Sequence, residues 1–158
     1  MSLNQTIRIF MATGISLLIL QSGVRGAAQE VGKLVGARTL QCTFPLNATG
    51  IWRNGKAEAA VKPATLTMKF VSINTDEGSA QLEGGAGTYD IIVRYSTGYL
   101  NFIQSFRDGP MYTTTVFQKE TTGGKLKAVH SRHELFDFAL PGFTSSPEQY
   151  YGECEIIE

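Results

Sequence analysis

The sequence predicts an all-β protein, an eight-stranded antiparallel up-and-down β-barrel. Glycine-containing breaks recur along the chain, at Gly78, Gly98 and Gly109 among other positions. β-branched and aromatic residues fill the segments between these breaks, a pattern typical of consecutive strands joined by hairpins. The two cysteines, Cys42 and Cys154, stand near the two ends of this run of segments. A bond between them would pair the first strand with the last and close the sheet.

Eight segments combine strand composition with the alternation of apolar and polar residues that marks a half-buried strand. The connections at 96–98 and 108–110 contain glycine, which adopts the positive φ of tight hairpin turns, so successive strands should be antiparallel. The predicted strands are 39–44, 65–73, 79–83, 88–95, 99–106, 111–118, 125–134 and 150–157.

Two segments interrupt this pattern. Residues 47–63 contain the alanine-rich stretch 57–60 and end at Pro63, which predicts a short helix or loop after the first strand. Residues 135–149 contain three phenylalanines and two prolines. We expect a long ordered flap there, because so many aromatic side chains disfavour disorder.

Residues 1–28 have the features of a secretory signal peptide. Arg8 precedes an apolar run at 9–20, and small residues follow up to Ala28, after which we expect cleavage. The run has twelve residues, fewer than the roughly 20 that a transmembrane helix needs. An uncleaved signal anchor is the alternative, because Arg25 lies beyond the apolar run.

The predicted mature chain is one domain over residues 29–158, a secreted or periplasmic protein with no membrane span. An oxidising compartment lets two thiols persist as a disulfide. Cys42 and Cys154 are the one pair available within the chain, and both fall on the apolar faces of their strands. We therefore predict a disulfide between them, which would stabilise the fold by closing a long loop.

Composition and spacing exclude several classes of partner. Fourteen basic and fourteen acidic residues give a net charge of zero, so no global field favours nucleic acid. The two histidines, His130 and His133, point to opposite faces of a strand and cannot chelate one metal ion. The glycine-rich stretch 84–87 precedes a strand and lacks the helix N-terminus of a phosphate-binding loop. We predict no metal and no cofactor.

The seventh predicted strand carries a cation on its apolar side. Alternation places His130 and Arg132 on the same face as Leu126, which is the predicted interior. A buried guanidinium is costly unless it meets a counter-ion, a polar ligand or an open mouth. We therefore predict an interior site for a small, partly apolar ligand with an anionic group, which Arg132 would bind. His130 and Gln104 would orient this ligand through hydrogen bonds, and the apolar wall would be Phe102, Phe106 and Phe117.

Two alternatives concern this site and its surroundings. A β-bulge near Val129 would turn Arg132 back to solvent and remove the interior cation. A protein-binding module, or an inhibitor of a secreted enzyme, would instead act through the loops around Asp108, 121–124 and 135–147, because exposed loops commonly carry contacts.

A serine hydrolase is the third possibility. Ser131 and His133 share a face of their strand, and an acid such as Glu155 or Asp137 would complete a triad. No nucleophile elbow surrounds Ser131, which favours a non-catalytic function.

Short motifs resemble three groups of exported proteins. Gly50-Ile-Trp52 resembles the G-x-W element of the lipocalins, which implies an eight-stranded barrel with an interior ligand site. The lipocalin tryptophan opens the first strand, whereas the one here follows it. The segments 113–117, 128–133 and 149–154 look like small exported bacterial proteins of unassigned function. Ala86-Gly-Thr-Tyr89 is similar to a loop of bacterial periplasmic lysozyme inhibitors, which are also small disulfide-closed barrels.

Overall fold

The computed structural model describes residues 32–84, 87–107, 109–135 and 145–157. These residues form eight antiparallel strands in a closed ring, in which each strand pairs with the next and the last pairs with the first. The predicted all-β class is confirmed, and the described residues contain no helix. The predicted signal peptide lies outside the described residues. The strands are β1 (Leu40–Arg53), β2 (Lys56–Asn74), β3 (Ser79–Gly84), β4 (Gly87–Ser96), β5 (Tyr99–Ser105), β6 (Met111–Glu120), β7 (Leu126–Arg132) and β8 (Glu148–Ile156).

The predicted short helix after the first strand is wrong. Residues 47–63 belong to β1 and β2, which form one long hairpin joined by a turn at Asn54 and Gly55. The φ angles of the two turn residues are 52° and 74°, as in the type I′ turn that Asn-Gly favours. The alanine-rich stretch 57–60 is too short to nucleate a helix by itself, and pairing with β1 fixes it as a strand.

A disulfide closes the ring, as predicted. Cys42 and Cys154 lie directly opposite each other on β1 and β8, with their Cα atoms 4.0 Å apart. Gly152 lies two residues before Cys154, where the register of β1 against β8 shifts. A Cβ on Gly152 would lie 1.9 Å from the carbonyl oxygen of Thr43 and 2.7 Å from the Cα of Phe44. Glycine is therefore required for these two strands to approach each other.

The interior of the ring is filled by apolar side chains. The rings of Phe70 and Phe102 stack at its centre, with their centroids 4.0 Å apart. The cavity beside them has a volume of about 10 Å³, which is about the space that one water molecule needs. The core is therefore packed at this point, and the described interior has no room there for a larger ligand.

The end of the ring that contains the disulfide, here named the sealed end, is covered by the segment preceding β1. Leu34 and Ala37 of that segment are buried in the same core as Leu40. The Arg38 guanidinium donates a hydrogen bond of 2.8 Å to the carbonyl oxygen of Ile73. These contacts attach the segment to the ring and exclude water from this end of the core.

Candidate functional site

The opposite end of the ring, here named the open end, is where β7 ends at Arg132 and β8 begins at Glu148. Interior positions change from apolar to polar along these strands. Thr114 pairs with His130 and His130 with Tyr150, and one rung further Tyr112 pairs with Arg132 and Arg132 with Glu148. These side chains share the inner face because they are two residues apart on each strand. The candidate site therefore consists of two polar rungs above the apolar core.

Strand β7 carries Arg132 to this site without interruption. It pairs with β8 from Leu126 to Arg132 with no register shift, so the bulge considered near Val129 does not form. The shift between β6 and β7 lies at Val116–Glu120 instead. Arg132 therefore stays on the same face as His130, whose exposed fraction is 1%.

The guanidinium of Arg132 is held by aromatic rings. Its Cζ atom lies 5.2 Å from the ring centroid of Tyr112 and 5.2 Å from that of Tyr150, within the range of cation–π attraction. Its Nε atom donates a hydrogen bond of 3.1 Å to Nε2 of His130. None of the ion pairs within the described ranges includes Arg132. The side chain is half-buried, so a cation faces the open end with no carboxylate bound to it there.

The imidazole of His130 is neutral in this arrangement. Arginine can donate but not accept, so Nε2 of His130 accepts from Arg132 and Nδ1 carries the proton. The Nδ1 atom lies 2.9 Å from Oγ1 of Thr114, which accepts that proton's hydrogen bond. Burial, and secondly the nearby charge of Arg132, lower the pKa of His130 from 6.5 to about 3. His130 therefore holds Arg132 in place and is not a second cation.

Carboxylates hold the two tyrosine rings. The hydroxyl of Tyr112 donates to Glu134, which is buried. The hydroxyl of Tyr150 donates to Glu148 at 2.5 Å, and the side chain of Glu148 is 10% exposed. Burial and this hydrogen bond raise the pKa of Tyr150, whereas the charge of Arg132 acts in the opposite direction. The site thus places one cation between two ring faces whose hydroxyl groups are fixed by acids.

A recess of about 180 Å³ opens beside Arg132. Arg132, His130, Gln104 and Tyr112 line one side, and an apolar wall faces them from β2 and β3. Thr67 and Glu83 also line the recess, and Glu83 pairs with Lys69 at 2.8 Å. The recess therefore accommodates a small group with both polar and apolar parts. The apolar wall is formed by Leu66, Met68 and Leu82.

The predicted apolar residues divide between two faces. Phe102 lies at the base of the site, and Phe106 packs edge-on against Tyr112 at the rim, with centroids 5.1 Å apart. Phe117 does not belong to the site. It lies on the outer face of β6, where its ring packs against that of Tyr99 with the centroids 5.6 Å apart. Phe117 is three positions from the inner residue Thr114, and successive residues of a strand alternate between its two faces.

The hydrolase arrangement does not assemble among the described residues. Ser131 lies in β7, and its Oγ accepts a hydrogen bond of 3.3 Å from Gln149. His133 is exposed and follows Arg132, the last residue of the strand. Glu155 lies six residues further along β8 than Gln149, about 20 Å away at the usual strand rise, and pairs with Lys125 at 3.2 Å. The other candidate acid, Asp137, lies outside the described residues. In the described ranges, no group of three His, Cys, Asp or Glu residues could bind a metal ion.

The loops predicted for a protein partner do not share one surface. Residues 121–124 join β6 to β7 at the sealed end. The other two loops join strands at the open end, and both Asp108 and residues 136–144 lie outside the described residues. A partner could therefore not contact all three loops through one compact interface.

Sequence reasoning missed the tyrosines, Thr114 and Glu148 of the site. Their strand propensity made a purely structural role sufficient for Thr114 and Tyr150. Alternation on single strands cannot reveal that Thr114, His130 and Tyr150 lie side by side, because that depends on the register between strands. The available signal was the parity of Tyr150 with Cys154, which places both residues on the inner face of β8.

Comparison with protein-family models, with curated proteins and with solved structures gave no match for this chain. Within the described part of the chain, no helix has the length and apolar character needed to cross a bilayer. The function must therefore be inferred from the geometry of the open end.

Proposed function

We propose that this protein is an exported, non-catalytic binding protein for a small, partly apolar ligand with an anionic group. The ligand would occupy the recess at the open end, with its anionic group on Arg132. The single observation that carries this proposal is the position of the Arg132 guanidinium, which is half-buried between two tyrosine rings with no ion pair among the described residues.

A cation in this position favours an anionic ligand on energetic grounds. Partial burial removes part of the hydration of the guanidinium, and the rings and His130 compensate for part of this loss. The acid opposite Arg132 on β8, Glu148, instead bonds to the hydroxyl of Tyr150 and pairs with Lys62. The hydrogen bond to His130 uses Nε. No hydrogen bond within the described ranges uses the two terminal nitrogens, and these are the donors that bind a carboxylate in a bidentate manner.

The recess limits the size of the ligand. Its volume of about 180 Å³ is below the roughly 300–1,000 Å³ of drug-sized sites. The apolar wall from β2 and β3 would contact a short hydrocarbon chain, while Gln104 would reach a polar atom. A carboxylate of about six carbons is therefore a suitable probe.

The export that this proposal assumes rests on two observations. The disulfide between Cys42 and Cys154 is compatible with an oxidising compartment, and residues 1–28 have the pattern of a signal peptide. The closed ring of eight strands agrees with a lipocalin-like architecture at a coarse level. A lipocalin relationship itself stays a prediction. Here the packed core would place the ligand at the rim and not deep in the interior.

Isothermal titration calorimetry with hexanoate tests the proposal. We expect saturable binding to the native protein and at least about tenfold weaker binding to Arg132→Gln, because a charge-assisted bidentate contact contributes about 1.5–3 kcal/mol. Arg107→Gln is the matched control, since it removes an exposed arginine outside the site, and its affinity should equal that of the native protein. Equal affinity of the native protein for hexanoate and for uncharged hexanol would overturn the proposal.

A further inference from the structure

The hairpin of β1 and β2 extends beyond the ring at the open end. The pairing of β1 with β8 ends at Thr49, and the pairing of β2 with β3 begins at Lys69. In the described ranges, the tip of the hairpin therefore has no third strand beside it. Residues 46–63 of this hairpin are here named the arm.

One face of the arm is entirely apolar. Residues directly opposite each other on two antiparallel strands share a face, and four such pairs alternate along the arm. Trp52 and Val61 belong to this face, and their exposed fractions are 59% and 66%. Solvent-exposed stripes of this kind mark interaction surfaces. The four pairs are Leu46 with Pro63, Ala48 with Val61, Gly50 with Ala59, and Trp52 with Ala57.

The arm is also basic. It contains three basic residues, Arg53, Lys56 and Lys62, but a single acid, Glu58, whereas the whole chain has equal numbers of basic and acidic residues. Arg53 pairs with Glu58 at 3.5 Å and Lys62 with Glu148 at 4.0 Å, and the side chains of both basic residues are more than half exposed. Arg53 and Lys56 flank the turn at the tip, next to Trp52. An exposed tryptophan beside basic residues is the composition of segments that lie at the interface of a bilayer with anionic lipids.

We propose that the arm docks the protein on the surface of a membrane that contains anionic lipids. The apolar face would enter the boundary between headgroups and acyl chains, and Arg53 and Lys56 would contact the headgroups. The free backbone edge of β2 requires water, so the arm lies in the interface and does not cross the hydrocarbon.

Charge distinguishes this occupant from a second copy of the chain. Two arms packed face to face and parallel would bring two basic tips together, and this repulsion opposes association. Two arms packed antiparallel would keep the tips apart but would offer neither tip a complementary charge. An anionic bilayer offers the complementary charge together with an apolar phase. The inference does not depend on the anion site at Arg132, because it uses different residues.

The intrinsic fluorescence of Trp52 tests the inference, since it is the one tryptophan of the chain. Vesicles of phosphatidylcholine mixed with phosphatidylglycerol should shift its emission to shorter wavelength, and brominated acyl chains should quench it. Vesicles of phosphatidylcholine alone should have a much smaller effect, and high salt should reverse the binding. The double variant Arg53→Gln/Lys56→Gln should partition about 30-fold more weakly, since each lost cation reduces binding about fivefold.

A matched pair of charge insertions separates the arm from the rest of the surface. Val61→Glu should weaken partitioning about tenfold, because it places an acid in the apolar face. Ile92→Glu adds the same charge at an exposed apolar position on β4, where the native side chain is 43% exposed, and should change partitioning by less than about twofold. Unshifted emission with anionic vesicles would refute the inference. So would equal loss in the two variants, or a dimer in sedimentation equilibrium that Val61→Glu dissociates.

Discussion

The two ends of the ring are built by the same strands but have opposite chemistry. At the sealed end, β8 contributes Cys154 and β7 contributes Leu126, both inside the apolar core. At the open end, the same two strands contribute Tyr150 and Arg132 to a polar site. The difference teaches that one alternating pattern can supply stability at one end of a strand and a candidate binding site at the other.

This division gives the two ends different expected sensitivities. The buried contacts at the sealed end are mainly the disulfide and apolar packing, so their loss should lower the free energy of unfolding. The charged groups at the open end lose hydration on burial, and their contacts with neighbouring side chains offset this cost. Their net contribution to the free energy of unfolding should therefore be small. The four predictions below test this contrast, and they are ordered by the size of the expected effect.

Removal of the disulfide should have the largest effect. Cys42→Ser/Cys154→Ser should lower the free energy of unfolding by about 2–5 kcal/mol, because the native disulfide restricts the unfolded chain and the variant loses this restriction. Urea denaturation of the variant, and of the native protein with and without reductant, measures this. A loss below about 1 kcal/mol would show that the sealed end is held mainly by packing.

Gly152→Ala should be nearly as damaging. The added Cβ would meet the backbone of Thr43 and Phe44. Moving β1 away from β8 to make room for it should cost about 1–3 kcal/mol or more. Thermal denaturation followed by circular dichroism measures the loss. Gly36→Ala serves as the control, since its Cβ would meet no atom within 4 Å, and unchanged stability of both variants would contradict the close approach of β1 and β8.

The buried His130 should make the protein sensitive to mild acid. Its pKa is about 3 in the folded ring and 6.5 in the unfolded chain, so below pH 6.5 the unfolded state takes up a proton that the folded state does not. Stability therefore falls as the pH drops from about 6.5 towards 3, and the loss at pH 5 should be about 2 kcal/mol.

Urea denaturation between pH 8 and pH 5 measures this dependence. His130→Gln should remove most of the loss, whereas His133→Gln, which changes the exposed histidine, should keep it. If His133→Gln flattened the profile instead, the neutral His130 inferred from its contacts with Arg132 and Thr114 would be wrong.

Arg132→Gln should have the smallest effect on stability, below about 1 kcal/mol, because the lost cation–π attraction is offset by the smaller desolvation cost. The same substitution should raise the pKa of His130, since the charge of Arg132 helps to lower it. The total loss of stability in acid should therefore be smaller in the variant. Nuclear magnetic resonance titration of the imidazole measures the shift. A destabilisation of several kcal/mol would make Arg132 a structural residue and weaken the contrast between the two ends.

Much of the fold could be predicted because alternation is a local property. The first strand begins at Leu40, one residue from the predicted start, and β3, β5 and β6 begin at the predicted residues. The inner position of Arg132 also followed from alternation with Leu126. Phe117 was assigned to the site for its aromatic character, although its parity with Thr114 places it outside.

The rest depends on contacts between distant segments. The alanine-rich stretch 57–60 and Pro63 predict a helix or loop over residues 47–63, yet Asn54-Gly55 is a strong local hairpin signal. The tyrosine rings that hold Arg132 come together through the register of three strands. That register includes shifts in β1 and β6, which no single segment specifies.

The pairing of the first and last strands also determines how the protein can be attached to a support. The backbone nitrogen of Ile157 donates a hydrogen bond of 3.1 Å to the carbonyl oxygen of Thr39, so the chain enters and leaves the ring at neighbouring points of the sealed end. A tag or fusion joined after Ile157 would therefore project away from Arg132 and Trp52, and a protein immobilised in this way would present both surfaces to solution.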